Sequence, residues 1–460
     1  MTEQISNGKP LTVNPLKVSQ PMGASLALLG VSRTMPLEHG AQGCTAFSKV
    51  FFTRHFREPI PLQTTAVNHM VTVMGADDAI VEALNTIASA EQPALIGLVT
   101  TGLTEVQGAD IHRSLQVFRQ QHPEWAGMPV VPVNAPDTLG SLESGFALAV
   151  EGLIAELVPP SNCAGQASRQ INVLASSMLT PGDLDALKTW IEAFGLLPVV
   201  LPDLSGSLDG HLDPAGFSNL TQGGITVAEI AGMGAARATL VIGASLYPAA
   251  DLLHARTGVP DYRFAGLMGL AACDALTERL AEWSGRSRPA WLGRQRSQLM
   301  DAMVDCHMGL GGMRVALAGE PDGLAMLARF VASVGAEVCV AVSPVKADWL
   351  DDLPLAELHV GDLEDLEAQA GKRHAQLLLA NSHGVPVAAR LGIPILRAGF
   401  PIHDVAGAPA RQWIGYAGSR QTLFDLYNLL IGQRQALAPY RSIFWQGGPR
   451  DQETAALALA

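Results

Sequence analysis

The chain has 460 residues, of which 48% are hydrophobic and 16% are charged, and its formal net charge is −13 at pH 7. This length exceeds what one hydrophobic core usually organises, so we expect several domains, and the hydrophobic content excludes a disordered protein. The negative charge argues against nucleic acid as the main partner, because phosphate contacts need clustered lysine and arginine side chains.

The termini and the cysteines indicate the compartment. The first ten residues, MTEQISNGKP, lack the apolar core of a secretory signal. The longest apolar runs are shorter than the about 18 residues that a spanning helix needs, so we expect no membrane partner. The five cysteines are scattered and form no CxxC pair, which excludes zinc-finger and two-cluster ferredoxin spacings. We therefore expect a cytoplasmic protein.

The first notable segment is a glycine-bracketed loop, His39-Gly40-Ala41-Gln42-Gly43-Cys44, within the stretch from Asn14 to Glu58. Gly40 and Gly43 lack Cβ atoms, which allows a sharp turn and close approach to a bulky inorganic group. Cys44 falls at the N-terminus of a predicted helix, where unpaired backbone N–H groups favour a thiolate. Positive charge is expected nearby from a further set of residues, Arg33, Lys49, Arg54, His55 and Arg57.

Residue pattern alone leaves two interpretations of this loop open. A single cysteine after a glycine loop is most often an inert buried thiol. If Cys44 instead binds metal, one thiolate is not a complete site, because a four-iron cluster needs four ligands. The others would then come from elsewhere in the chain or from a partner. His39 adjoins the loop and is a candidate for a supporting role behind a ligand.

The first α/β unit follows this loop. Its predicted elements are a helix over Asp77–Ala90, a strand over Ala94–Thr100, a helix through Ile111, Leu115 and Phe118, a strand over Met128–Val133 and a helix over Leu139–Leu157. The strand ALIGLVT is continuously apolar, as is typical of a buried parallel strand. Ligands of such sheets bind beyond the carboxyl ends of the strands, which here means the Thr101-Gly102 turn.

A second unit begins after the polar stretch at 161–170. The sequence predicts a strand over Ile171–Ala175, a helix that starts at Thr180-Pro181 and ends near Phe194, and a strand over Pro198–Leu201. Further on, Gly232-Met233-Gly234 superficially resembles a dinucleotide fingerprint. It lies between a helix and a strand in the wrong order, since the fingerprint needs strand, glycine turn and then helix.

A third unit completes the chain. Its predicted elements are helices over Arg296–Met308, Asp322–Val334 and Tyr416–Leu430, and strands over Met313–Ala318, Glu337–Val342, Gln376–Ala380 and Ile393–Arg397. Three successive α/β units therefore share the chain. We predict domain boundaries that give residues 1–160, 161–308 and 309–460.

Several motifs resemble a known family. In chain order they are NPLKVSQPMGA, PLEHGAQGC, RHFREP, VTTGLTEV, QGGIT, NSHG and PILRAGFPI. Together they resemble the β-subunit branch of the nitrogenase molybdenum-iron protein and its assembly paralogues, from about Asn14 to the closing helix. The resemblance implies an α/β fold of three Rossmann-like domains, each a mainly parallel sheet flanked by helices, in an α2β2 assembly.

The resemblance also implies a metal site. In nitrogenase β subunits, three cysteines of these motifs bind half of the P-cluster at the subunit interface. The matching positions here are Ser19, Cys44 and Gly102, so only one thiolate remains. The assembly paralogues share a [4Fe-4S] cluster between subunits. By this resemblance Cys44 is the cluster ligand, Gly40 and Gly43 shape the loop, and the α-like partner NifE supplies the remaining cysteines.

The function implied by the resemblance is that of an assembly scaffold without an independent active site. In the paralogues, an iron-molybdenum cofactor precursor made by NifB is held mainly by NifE. The Fe protein of nitrogenase then delivers molybdenum and homocitrate, and the finished cofactor passes to apo-nitrogenase. These four proteins are the partners that the resemblance implies, and the first domain would carry both the cluster loop and the subunit interface.

Other functions remain to be weighed. A catalytic nitrogenase β subunit would need cysteines at positions 19 and 102, which the sequence lacks. A nucleotide-dependent oxidoreductase would need a glycine fingerprint between a strand and a helix. A structural subunit without a cluster stays open as an alternative, with Cys44 simply buried.

A second departure from the nitrogenase pattern lies after the REP motif. There Asn68-His69-Met70 replaces a run whose glutamate binds an interfacial metal ion in nitrogenase. His69 is a candidate ligand, although an interface role is favoured.

Overall fold

The computed structural model describes residues 2–6, 8–9, 11–68, 77–138, 140–212, 216, 218–432 and 444. The first third of the chain contains β1 (Glu3–Ser6), α1 (Gln20–Leu28), β2 (Thr34–His39), α2 (Gln42–Phe56), β3 (Gln63–Thr64), α3 (Asp77–Glu91), β4 (Leu95–Thr100), α4 (Gly102–Gln107), α5 (Ile111–Gln121), β5 (Val130–Val133) and α6 (Leu142–Leu157).

The middle of the chain contains β6 (Ala167–Ala175), α7 (Pro181–Glu192), β7 (Leu197–Leu201), α8 (Val227–Ala231), β8 (Ala236–Ile242), α9 (Tyr247–Thr257), β9 (Asp261–Phe264), α10 (Leu270–Ser284) and α11 (Ala290–Leu310). The start of α7 follows the predicted signal, because the Thr180 side chain accepts a hydrogen bond from the Asp183 backbone N–H and Pro181 occupies the first turn.

The last third contains β10 (Arg314–Ala318), α12 (Pro321–Ser333), β11 (Glu337–Ser343), β12 (Glu357–Val360), α13 (Leu363–Lys372), β13 (Leu377–Ala380), α14 (Val385–Leu391), β14 (Ile395–Arg397) and α15 (Gly415–Ile431). The helices and strands predicted from the sequence in all three regions are confirmed, with ends that differ by a few residues. No described helix is long and apolar enough to cross a bilayer.

The strands form three parallel sheets. Their orders are β3-β2-β4-β5, β7-β6-β8-β9 and β1-β12-β11-β10-β13-β14. Every residue of β4 is buried, as expected of a parallel strand covered on both faces. The predicted α/β fold with three parallel sheets flanked by helices is therefore confirmed. The domain boundaries remain predictions; the sheets follow them except that β1 pairs with β12 in the third sheet.

Close packing of α1 against α6 fixes the segment that precedes the cysteine loop. A Cβ atom on Gly23 would lie 1.8 Å from the Leu142 carbonyl oxygen, and one on Gly145 would lie 1.9 Å from the Gln20 carbonyl oxygen. The two helices therefore touch backbone to backbone, which only glycine permits. As a result, the start of α1 is held rigidly beside the first sheet.

A buried polar junction joins the three regions. The Asp322 backbone N–H donates to the Glu143 carboxylate at 2.8 Å. The Asp322 carboxylate in turn accepts hydrogen bonds from the Ala244 N–H at 2.9 Å and the Ser245 hydroxyl at 2.6 Å. Each region thus contributes a group to one hydrogen-bonded network, which sets the orientation of the three sheets because buried polar groups need specific partners.

Candidate metal centre at the cysteine loop

The cysteine loop lies at the carboxyl edge of the first sheet. Strands β2 and β4 are parallel neighbours, and His39 at the end of β2 pairs with Thr100 at the end of β4. The loop after β2, which carries Cys44, and the turn after β4, which carries Gly102, are therefore adjacent. This edge is where parallel sheets place their ligands.

Gly40 and Gly43 serve different purposes in the loop. A Cβ atom on Gly40 would lie 2.5 Å from the Thr101 hydroxyl oxygen, whereas one on Gly43 would have no neighbour within 4 Å. Neither glycine is among the residues with positive φ. These positions therefore do not use the left-handed conformation that favours glycine, and their role in shaping the loop stays a prediction. Gly40 permits contact with the next turn, and Gly43 leaves open space beside the cysteine.

The loop is tied to the turn after β4 by side-chain hydrogen bonds. The hydroxyls of Thr101 and Thr104 both donate to the His39 carbonyl oxygen, at 2.9 Å and 3.0 Å. The Thr101 hydroxyl also fills the space that a Gly40 side chain would occupy. These contacts hold the cysteine loop and the Gly102 turn in one arrangement.

Cys44 lies in the first turn of α2, as predicted. The residue before the helix, Ala41, makes no side-chain capping hydrogen bond, so the first N–H groups of α2 have no side-chain acceptor at this position. All five cysteines are free, and Cys44 is the exposed one; Cys163 is half-buried and the other three are buried. The inert buried thiol therefore does not describe Cys44.

Carboxylates, rather than cations, set the charge around Cys44. Although the residue is exposed, partial burial of its sulfur and the fields of Glu38 and Asp137 raise the pKa of the Cys44 thiol above its ordinary value. The Glu38 carboxylate is buried in turn and accepts hydrogen bonds from the Ser25 hydroxyl at 3.0 Å and the Thr45 hydroxyl at 2.8 Å. It therefore fastens the first turn of α2 to α1, and burial raises its pKa.

Three of the basic side chains predicted to add positive charge near Cys44 make other contacts or are neutral. Arg33 donates to the Gln92 carbonyl oxygen, and Arg54 contacts the His403 ring at the far end of α2. Burial lowers the pKa of His55 to about 4, so this ring is neutral at pH 7. Helical periodicity gave the order of Arg54 and His55 along α2 but not the contacts they make.

His39 is fully buried beneath the loop. Its Nδ1 lies 2.9 Å from the Thr65 hydroxyl, its Nε2 has no hydrogen-bond partner, and burial lowers its pKa to about 4. A neutral ring that supports the backbone of the loop fits these contacts. Whether it also supports a metal ligand stays a prediction, and His69 lies outside the described residues.

The other two motif positions lie near the same edge. Ser19 caps α1, since its hydroxyl accepts a hydrogen bond from the Met22 N–H at 3.5 Å. Gly102 begins α4, and a Cβ atom there would lie 3.4 Å from the Cβ of Asp137. Asp137 also lies against the backbone N–H of Gln20, next to Ser19. Asp137 thus contacts the segments that carry both positions.

Sequence reasoning missed Asp137. It follows Pro136 in the turn after β5, the strand that pairs with β4, so its position beyond a parallel strand was the available signal. Among the described residues, no three His, Cys, Asp or Glu side chains come close enough together to hold a metal ion. The described part of this chain therefore offers a few donors at one edge rather than a complete metal site.

Several exposed apolar side chains lie on the two helices that follow the adjacent loops of the candidate site. Phe47 and Val50 on the same helix are 61% and 51% exposed, and Val106 on α4 is 86% exposed. Single exposed apolar residues are common, but these flank the two adjacent loops of the candidate site. Exposed apolar side chains beside functional groups are typical of a surface that another protein covers.

This fold and loop define a class of protein. The sequence profile of the nitrogenase component 1 type oxidoreductases matches residues 19–431. The solved structure "Nitrogenase Cp1 at pH 6.5" superposes with a TM-score of 0.87 and 28% identity, covering 94% of this chain and 95% of that chain. The chain belongs to the nitrogenase component 1 family.

Within this family the chain is similar in sequence to the NifN proteins. It is 45% identical over 442 residues to the nitrogenase iron-molybdenum cofactor biosynthesis protein NifN of Klebsiella pneumoniae, covering 96% of each chain. It is 44% identical over 428 residues to the NifN protein of Bradyrhizobium diazoefficiens, covering 93% of this chain and 91% of that one. The family resemblance predicted from the motifs is confirmed.

Proposed function

We propose that this chain is a scaffold subunit for biosynthesis of the nitrogenase iron-molybdenum cofactor in the cytoplasm. The support is its similarity to NifN proteins over nearly its whole length. In this proposal the chain has no independent active site. It pairs with NifE in an α2β2 heterotetramer, and NifE holds most of the cofactor precursor.

The proposal assigns Cys44 as the one ligand from this chain to a [4Fe-4S] cluster shared with NifE. The single observation that carries it is the exposed Cys44 thiol at an uncapped helix start, with open space beside Gly43. An added Cβ atom on Gly43 would meet no atom within 4 Å, so the backbone beside the thiol is open to an inorganic group. The thiolate would bind one iron. Metal coordination lowers the pKa of a thiol, which would offset the rise that the nearby carboxylates cause.

The ligand count favours sharing. A four-iron cluster needs four donors, whereas Ser19 and Gly102 offer no thiolate at the other two motif positions. We therefore propose that cysteines of NifE complete the site. The apolar surface formed by Phe47, Val50 and Val106 would be covered in that pairing, which would remove the cluster from water.

The remaining partners follow from the same role. We propose that the complex receives its precursor from NifB, contacts the Fe protein, and delivers the finished cofactor to apo-nitrogenase. A nucleotide-dependent oxidoreductase has no support, because the Gly232–Ala235 segment is a short 3₁₀-helix between α8 and β8. That order is the reverse of a dinucleotide site.

The test is spectroscopic and uses the co-purified complex. We expect Cys44→Ala to lower the iron content, or to change the paramagnetic signal of the reduced cluster, because an iron loses its thiolate. Cys163→Ala is the matched control, since this half-buried cysteine lies in the segment between α6 and β6. An unchanged iron content and spectrum in Cys44→Ala would favour a purely structural subunit.

A further inference from the structure

The Asp137 carboxylate has an oxygen without a partner at the candidate metal centre. Its Oδ1 is buried from solvent and accepts no hydrogen bond. The residue follows β5 and lies beside Gly102, where an added Cβ atom would lie 3.4 Å from the Asp137 Cβ and 3.7 Å from Oδ2, the other carboxylate oxygen. Buried polar oxygens usually have partners, so this one requires an explanation.

Two neighbours keep Asp137 in place. Burial raises the pKa of the Asp137 carboxyl above its ordinary value, and the backbone N–H of Gln20 and the Lys17 ammonium partly offset this rise. The Lys17 ammonium also donates to the Asp137 carbonyl oxygen at 3.0 Å. These contacts anchor the turn, while Oδ1 of Asp137 accepts no hydrogen bond.

Glu38, the other carboxylate near Cys44, differs in this respect. Both of its oxygens accept hydrogen bonds from hydroxyls, those of Ser25 and Thr45. Both carboxylate oxygens of Glu38 are therefore used in hydrogen bonds that join α1 to α2. Asp137 is the carboxylate with an uncommitted oxygen, and its field reaches the Cys44 thiol.

We propose that the Asp137 carboxylate faces the shared iron-sulfur cluster and lowers its reduction potential. This inference rests on the proposed function and concerns how this chain would tune the cluster rather than how it would bind it. Asp137 would act on the cluster through its negative charge and would not bind iron in place of a cysteine. Cluster potentials depend on net charge, hydrogen bonds and exposure, and this chain would supply the charge.

The direction of the effect follows from electrostatics. One-electron reduction adds a negative charge to the cluster, and a fixed carboxylate nearby disfavours that charge. The repulsion is weakly screened once a partner subunit covers the site, because a buried environment has a lower effective dielectric constant than water. Removal of the carboxylate charge should therefore make the cluster easier to reduce.

The experiment is a redox titration of the intact complex, followed by the paramagnetic signal of the reduced cluster. We expect Asp137→Asn to shift the midpoint upward, so that at the wild-type midpoint the variant is mostly reduced rather than half reduced. Asp137→Glu restores the charge and should return the midpoint toward the wild-type value. Asp301→Asn on α11, an exposed aspartate, is the matched control and should leave it unchanged.

The outcomes separate this inference from the proposed function. A midpoint that is unchanged in Asp137→Asn, with iron content intact and Cys44→Ala still altering the cluster, overturns the role of Asp137 alone. A wild-type complex without a four-iron cluster contradicts the proposed function itself. If Asp137→Asn fails to assemble, Asp137→Ser provides the same loss of charge with a smaller side chain, and an unchanged midpoint there overturns the inference equally.

Discussion

The junction of the three sheets gives a prediction about stability that does not depend on metal. Glu320 precedes α12, and its Oε2 accepts hydrogen bonds from the Ser141 hydroxyl and the Glu143 N–H. Its Oε1 is buried without a partner. Burial is the main cause that raises the pKa of Glu320 from 4.5 to about 7, and the nearby Asp322 charge adds to it.

The sign of the pH dependence follows from this raised pKa. The folded chain holds the Glu320 proton more tightly than the unfolded chain, so the contribution to stability is complete below about pH 4.5 and is lost as the pH rises through about 7. A pKa difference of this size corresponds to about 3 kcal/mol of stability.

Glu320→Gln removes the titration and keeps an amide oxygen to accept both hydrogen bonds. We expect the variant to match the wild type at pH 5 and to be more stable at pH 8 by up to about 3 kcal/mol, or about 3 °C in Tm for a chain of this length. The assay is thermal unfolding of the complex across this pH range. Glu82→Gln, at an exposed position on α3, is the control. A Tm difference between Glu320→Gln and wild type that is constant with pH would refute the reasoning.

Three further predictions concern the cysteine loop. Gly40→Ala should reduce iron content, because the new Cβ would lie 2.5 Å from the Thr101 hydroxyl. Gly43→Ala should fold and assemble normally, because its Cβ would meet no atom within 4 Å. Iron analysis of the two complexes tests both expectations. Ser19→Ala should cost about 1 kcal/mol of stability through the lost helix cap and leave iron content unchanged, as unfolding and iron assays would show. In the isolated subunit, alkylation of Cys44 should be slow at pH 7 and accelerate above pH 9, because burial and two carboxylates raise the pKa of this thiol from 9.0; fast alkylation at pH 7 would contradict this.

Sequence patterns predicted the elements with local signals. Helix α7 begins at Thr180 because its capping residues are neighbours in the chain. Cys44 likewise falls in the first turn of α2, since glycine, cysteine and the following apolar residues are consecutive. Such elements depend on interactions within a few residues, and these are visible without a structure.

Elements with distant partners escaped prediction. Strand β1 is a short segment that pairs with β12, which lies more than 300 residues further along the chain. Strand β2 contains Pro36, a residue that usually argues against a central strand. Its place between β3 and β4 depends on the sheet as a whole, so local composition could not reveal it.

The candidate site shows the same division. Cys44 was predicted from its motif, but the charges around it were not, because Glu38 points inward to Ser25 and Thr45 while Arg54 contacts His403. Asp137 was not predicted, because its neighbours Gln20 and Gly102 are distant from it in the sequence. Family resemblance supplies the expected ligand, and the fold supplies the residues that surround it.

The most direct test of the central claim is the location of iron in a crystal of the complex with its α-like partner, measured by anomalous scattering at the iron absorption edge. We predict iron density at bonding distance from the Cys44 sulfur, with the other ligands supplied by the partner subunit. Iron held entirely by the partner, with the Cys44 sulfur bound to no iron, would contradict the account.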